Sequence, residues 1–241
     1  MFNTKIPLYG IFIIIAILSG LFVVYKNAKN LNLKREEIMG LLIYIGLGAI
    51  FGAKYFTFIT KFQKYNKVFT FFKVGLSSYG AIIGIILLLF LFSKQYKKRF
   101  KDLIYILLPS IPLMYGIGKI GCFLAGCCYG VEYDGLLSVV YNYSYIAPKE
   151  ISLFPIQLLE AIIFIVIFIY IFNKVNKQKP NNVIIGQTFI ICGIAKFLLD
   201  YLRISHIGKI LSVNQIVSIF FILIGLYLVL KYCKIQERFC N

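Results

Sequence analysis

Gly116-Ile-Gly118-Lys119-Ile-Gly121-Cys122-Phe-Leu-Ala-Gly126-Cys127-Cys128-Tyr-Gly130 places five glycines, three cysteines and one lysine in fifteen residues. Glycine loses the most conformational freedom on ordering, so a run this rich in it marks backbone that bends, breaks or approaches something closely. Apolar sequence lies on both sides. Upstream, Leu103–Tyr115 carries Pro109 and Pro112, which kink or interrupt a helix. Downstream, Val131–Leu153 is the longest polar connection, rich in tyrosine, and reads as an extracytoplasmic loop or small cap. Backbone that leaves the helix at membrane depth is tolerated only where it is buried in protein or lines a wet cavity, so the stretch is expected to floor a functional site.

The membrane setting follows from the chain as a whole. Of its 241 residues 60% are hydrophobic and 15% charged, and mean hydropathy is +0.85. A soluble globular domain does not have this composition. The expected fold is all-α and polytopic, about seven transmembrane helices in a single domain over 1–241. Apolar runs long enough to span occur at Ile6–Tyr25, Ile38–Thr60, Ser77–Phe92, Leu103–Tyr115 continuing into the glycine-rich stretch, Phe154–Phe172, Val183–Leu202 and Ser212–Leu230. The third and fourth are short or glycine-broken, which leaves a re-entrant segment open. The first reads as a retained anchor.

A net charge of +17 would suggest nucleic acid in a soluble chain, but here the cations lie in connections and no nucleic-acid partner is expected. Lys26–Arg35, Lys94–Lys101, Lys174–Lys179 and Lys231–Arg238 hold the larger share of the 26 basic residues, which predicts that these connections are cytoplasmic and the N-terminus outside. Lys61–Lys73 alternates lysines with aromatic rings and reads as an interfacial segment.

Polar residues inside apolar runs are costly and point to function. Gly46, Gly48 and Gly52 precede Lys54, which reads either as a snorkelling interfacial lysine or as a cation facing an internal cavity. Tyr79 sits between serines and a glycine, as a ligand contact or an aromatic-belt residue. Gln157 and Glu160 open the fifth run, facing protein or capping the helix. Lys196, Asp200 and Arg203 are spaced to share one helix face that cannot be shown to lipid. Asn214 and Gln215 open the last run. With Lys119, these groups gather several cations around a few carboxylates, a set suited to an anionic phospholipid headgroup. Cys122, Cys127 and Cys128 lack a second ligand pair, and the sole histidine, His206, is distant in sequence, which leaves a zinc site open but calls for no metal and no cofactor.

Gly118–Gly130 resembles the signature loop of the bacterial prolipoprotein diacylglyceryl transferases. Gly52–Tyr55, Ser78–Gly84, Pro155–Glu160, Lys196–Arg203 and Ser212–Ser218 are similar to that family's segments in the same order. The resemblance implies a multi-pass enzyme of the bacterial plasma membrane. It would move the diacylglyceryl group of phosphatidylglycerol onto the lipobox cysteine of a prolipoprotein signal peptide and release glycerol phosphate. It also implies site residues: Lys119, Tyr79, Lys196 and Arg203 as catalytic groups, with Lys54, Cys122, Cys127, Gly130, Gln157, Glu160, Asp200, Asn214 and Gln215 binding substrate. The chain departs from the family pattern where Lys119 and Lys196 replace arginines, Cys122 an asparagine, Cys127 a glutamate, Tyr79 a histidine and Asp200 a glutamate. Lysine keeps the charge but not the bidentate fork. These departures leave two further readings open: a paralogue that transfers a lipid or acyl group to another acceptor, and a non-enzymatic membrane thiol or metal-binding protein.

Overall fold

In the computed structural model, residues 7–60, 78–142, 144 and 146–240 are described. The expected interfacial segment Lys61–Lys73 and the side chain of Tyr79 lie outside them. The helices, in chain order, are α1 Pro7–Asn30, α2 Arg35–Thr60, α3 Ser78–Gln95, α4 Phe100–Leu107, α5 Ser110–Ala125, α6 Ile156–Lys177, α7 Asn182–Asp200 and α8 Val213–Cys240, with a short 3₁₀ turn at Ile204–His206. Among the described residues six segments are long and apolar enough to cross a membrane, one of them the interrupted run Phe100–Ala125, and Gly80–Gln95 is a shorter apolar helix. The architecture is all-α and polytopic. Pro109 marks the interruption, and there the Ser110 hydroxyl donates to the Leu107 carbonyl at 2.7 Å.

The chain forms two compact units, Val24–Ile106 and a second made of Met1–Val23 with Leu107–Asn241. In the first, α2 and α3 meet backbone to backbone. A Cβ added at Gly52 would lie 2.3 Å from the Gly80 carbonyl oxygen, and one at Gly84 would lie 2.1 Å from that of Gly48. Small residues let membrane helices approach this closely. Gly46 has nothing within 4 Å of such a Cβ among the described residues. At one end of this unit Lys98 pairs with Glu37 at 2.8 Å, joining the two basic connections that the charge pattern assigns to one side of the bilayer.

The second unit holds the glycine-rich stretch. Its first ten residues are intact helix, the end of α5, and their glycines serve packing. A Cβ at Gly116 would lie 3.1 Å from the Ala161 carbonyl on α6, and one at Gly121 would lie 2.9 Å from Phe12 Cβ on α1. The break comes at Gly126, whose φ of 66° is left-handed and whose N–H caps the carbonyls of Cys122 and Phe123. A side chain at Gly126 would also sit 2.6 Å from Ser144 Cβ. Val131–Leu153 folds around buried Tyr141, Ala147 and Leu153, with Val139 and Leu153 exchanging backbone hydrogen bonds of 3.0 and 3.1 Å.

Candidate active site

Every site residue below except Lys54 and Tyr79 belongs to the second unit, so the geometry of the cluster stands within one compact body. Glu160, in the second turn of α6, is fully buried and is the hub. Lys119 of α5 reaches one of its oxygens at 2.6 Å, and Lys196 of α7 reaches the other at 2.5 Å. Tyr115, one turn before Lys119, donates to Glu160 at 2.9 Å and accepts from Lys196 at 2.5 Å. Three helices are thereby tied through one carboxylate. Two ammonium groups can be held so close in a dry interior only because that carboxylate lies between them.

The second carboxylate, Asp200, ends α7 and is also buried. It accepts from the Ser212 hydroxyl and, at 2.9 Å, from the Asn214 side-chain amide. Arg203 Nη1 lies 3.7 Å away. The expectation that Lys196, Asp200 and Arg203 share a helix face holds for the first two only. Tyr201 caps α7, and Arg203, with φ −101° and ψ 140°, is extended and pairs antiparallel with Gly130. That pairing explains the last glycine of the stretch, since a Cβ at Gly130 would meet the Phe154 carbonyl at 2.4 Å and that of Leu202 at 3.0 Å. The signature loop therefore aims Arg203 through backbone contact. Arg203 Nε is buried and has no hydrogen-bond partner among the described residues. A buried donor left open in this way is costly unless something else accepts from it.

Gln157, one turn before Glu160, donates to the Cys127 carbonyl at 2.9 Å and so fixes the loop on α6. Gln215 turns back on its own helix start, where its side-chain oxygen accepts from the Ser212 N–H at 3.0 Å and the Ser212 hydroxyl accepts from the Gln215 N–H at 3.1 Å. This is a reciprocal cap. It presents Asn214 and Ser212 to Asp200, so Gln215 serves as a support. Cys122, Cys127 and Cys128 carry their sulfurs within 4.8 Å of one another. Hydrogen bonds from the Cys122 and Cys127 thiols, with the charges of Lys119 and Arg203, hold the Cys128 thiol below the ordinary thiol range. Lys54 and Tyr79 lie on α2 and α3 of the other unit, Lys54 half-buried.

Two members were not singled out from the sequence. Tyr115 hides in an apolar run, yet it stands four residues before Lys119 and hence on the same face. Ser212 was visible only as part of a polar helix start.

Fold and cluster together define a class: a multi-pass membrane protein in which three cations and two carboxylates from α5, α6, α7 and the extended chain just past α7 are gathered in one unit. The model of the prolipoprotein diacylglyceryl transferase family matches residues 1–231, and the chain belongs to that family. It is 30% identical over 244 residues to the phosphatidylglycerol-prolipoprotein diacylglyceryl transferase 2 of Clostridium perfringens, covering 99% of this chain and 95% of that one. It is 28% identical over 232 residues to the phosphatidylglycerol-prolipoprotein diacylglyceryl transferase of Clostridium tetani, with 94% and 93% covered. The Francisella tularensis enzyme of that name is 27% identical over 253 residues, with 98% and 93% covered.

Proposed function

We propose that this protein transfers the diacylglyceryl group of phosphatidylglycerol to the lipobox cysteine of prolipoproteins, in the bacterial plasma membrane and on its outer side. In this reaction the acceptor sulfur forms a bond to the terminal glycerol carbon of the diacylglyceryl group. The bond from that carbon to the phosphate oxygen breaks, and glycerol phosphate leaves while the thiol proton is lost. Negative charge grows on the departing phosphate, and the site must meet it.

The observation that carries the reading is Arg203: a guanidinium positioned by the signature loop, with a buried Nε left open. A phosphate oxygen is the acceptor such a group is built for. Lys119 and Lys196 add positive charge, and three cations against two carboxylates leave an excess of one charge for an anionic headgroup. Glu160 and Asp200 act as positioning residues. They hold the cations in place before substrate arrives, so little reorganisation is needed during reaction. Members of the family named for phosphatidylglycerol and prolipoprotein match this chain over nearly its full length, which supports the same substrates here.

Expression in a bacterium depleted of its own lipoprotein-modifying transferase tests the reading. Growth and lipid-modified prolipoprotein are expected with the wild-type chain and are expected to fail with Arg203→Ala at equal membrane abundance. Absence of rescue by a wild-type chain that inserts and folds would overturn it.

A further inference from the structure

The three-thiol turn is not used by the phosphate cluster. We propose that Cys122, Cys127 and Cys128 bind one soft divalent cation of the zinc class as three thiolates, and that its fourth position is open to a thiol. The second clause rests on the transferase reading, because the thiol in question is that of the acceptor.

Two features of this chain converge on it. The sulfurs already lie within 4.8 Å of one another. Tetrahedral zinc with bonds of ~2.3 Å needs its sulfurs ~3.8 Å apart, so the sulfurs have at most about 1 Å to close. The backbone itself is bent to this end. Cys122 is in the last turn of α5, the Cys127 N–H donates to its carbonyl at 3.1 Å, and Cys128 sits at a φ of 56°, a conformation that residues with a Cβ adopt at a cost. Gln157 then clamps the Cys127 carbonyl at 2.9 Å.

Three protein ligands with a free position is the arrangement of reactive zinc, whereas purely structural sites are closed by four. A thiol that takes the fourth place releases its proton to water on binding. That would supply the acceptor as a thiolate, next to the cations that receive the leaving phosphate, without a histidine base.

The test uses the full chain purified in detergent and loaded with Zn²⁺, Cd²⁺ or Co²⁺. After removal of free metal we expect one equivalent per chain, a sulfur-to-metal absorption band with Cd²⁺, and protection of Cys122, Cys127 and Cys128 from alkylation while Cys233 still reacts. Cys128→Ser and the triple serine variant should lose the band at unchanged elution and melting behaviour. A lipobox peptide with cysteine should shift the Co²⁺ spectrum, and the same peptide with serine should not. Metal content no higher than in the triple variant, equal alkylation with and without metal, or a disulfide within the trio as isolated would overturn the proposal. Undiminished transfer by metal-stripped protein would also overturn it and leave the transferase reading intact. A site that fills and answers to the cysteine peptide, in a protein that transfers nothing, would confirm the metal and count against the transferase.

Discussion

Replacing Glu160 with glutamine keeps the volume of a fully buried side chain and removes the one charge that two lysines share. Lys119 and Lys196 would then face each other across a neutral amide. With the ammonium groups roughly 6 Å apart, an effective dielectric near ~20 gives a repulsion of about 3 kcal/mol. Breaking a buried ion pair by removing one partner typically costs about 3–5 kcal/mol. Glu160→Gln is therefore expected to destabilise the protein by that amount. Adding Lys119→Met removes the second cation and should return at least about 2 kcal/mol, the non-additivity expected of groups in direct contact. The chain has no tryptophan, so unfolding in detergent is best followed by tyrosine fluorescence in denaturant and by a thiol-reactive dye on heating. A Glu160→Gln protein within about 0.5 kcal/mol of wild type, the range of ordinary surface substitutions, would refute the hub. Simple additivity of the two changes would refute it as well.

Other consequences concern single positions. Arg203→Ala should lower the rate of transfer by about 10²-fold or more, as loss of a transition-state donor does, with little change in melting because its described ion pair is a long 3.7 Å contact. Arg203→Lys should recover only part of that rate, since lysine keeps the charge without the fork. Gly84→Val should destabilise by about 1–3 kcal/mol or more, because the new side chain meets backbone on α2, which cannot rotate away. Gly126→Ala should cost about 1–2 kcal/mol for the left-handed backbone alone, before the clash with Ser144, and is measured in the same denaturant titration.

The apolar runs were readable because the bilayer demands them: a span must hide its backbone, and composition records that demand directly. The polar exceptions within those runs were readable for the same reason, which is why Lys119, Glu160, Lys196 and Asp200 could be named before their helices were placed together. Partners were less legible. That Glu160 would bridge both lysines depends on the mutual rotation of α5, α6 and α7, set by close contacts such as Gly116 on Ala161. Arg203 was assigned to a helix face because its spacing from Asp200 fits one. The helix stops first, since Leu202 and Val131 are joined by a backbone hydrogen bond that draws the chain into extended form. Long-range pairing of this kind leaves no local trace. Tyr115 was passed over because a tyrosine in an apolar run looks like any interfacial ring until its hydroxyl is seen on Glu160.

Everything proposed for the site turns on cations that receive a departing phosphate. The direct measurement incubates purified protein with phosphatidylglycerol and a lipobox peptide, and counts glycerol phosphate released against peptide that has gained a diacylglyceryl thioether. Equal amounts of the two from wild type, and a drop of both by two orders of magnitude in Arg203→Ala, are the predicted result. Release of glycerol without its phosphate, or turnover unaffected by Arg203→Ala, would contradict it.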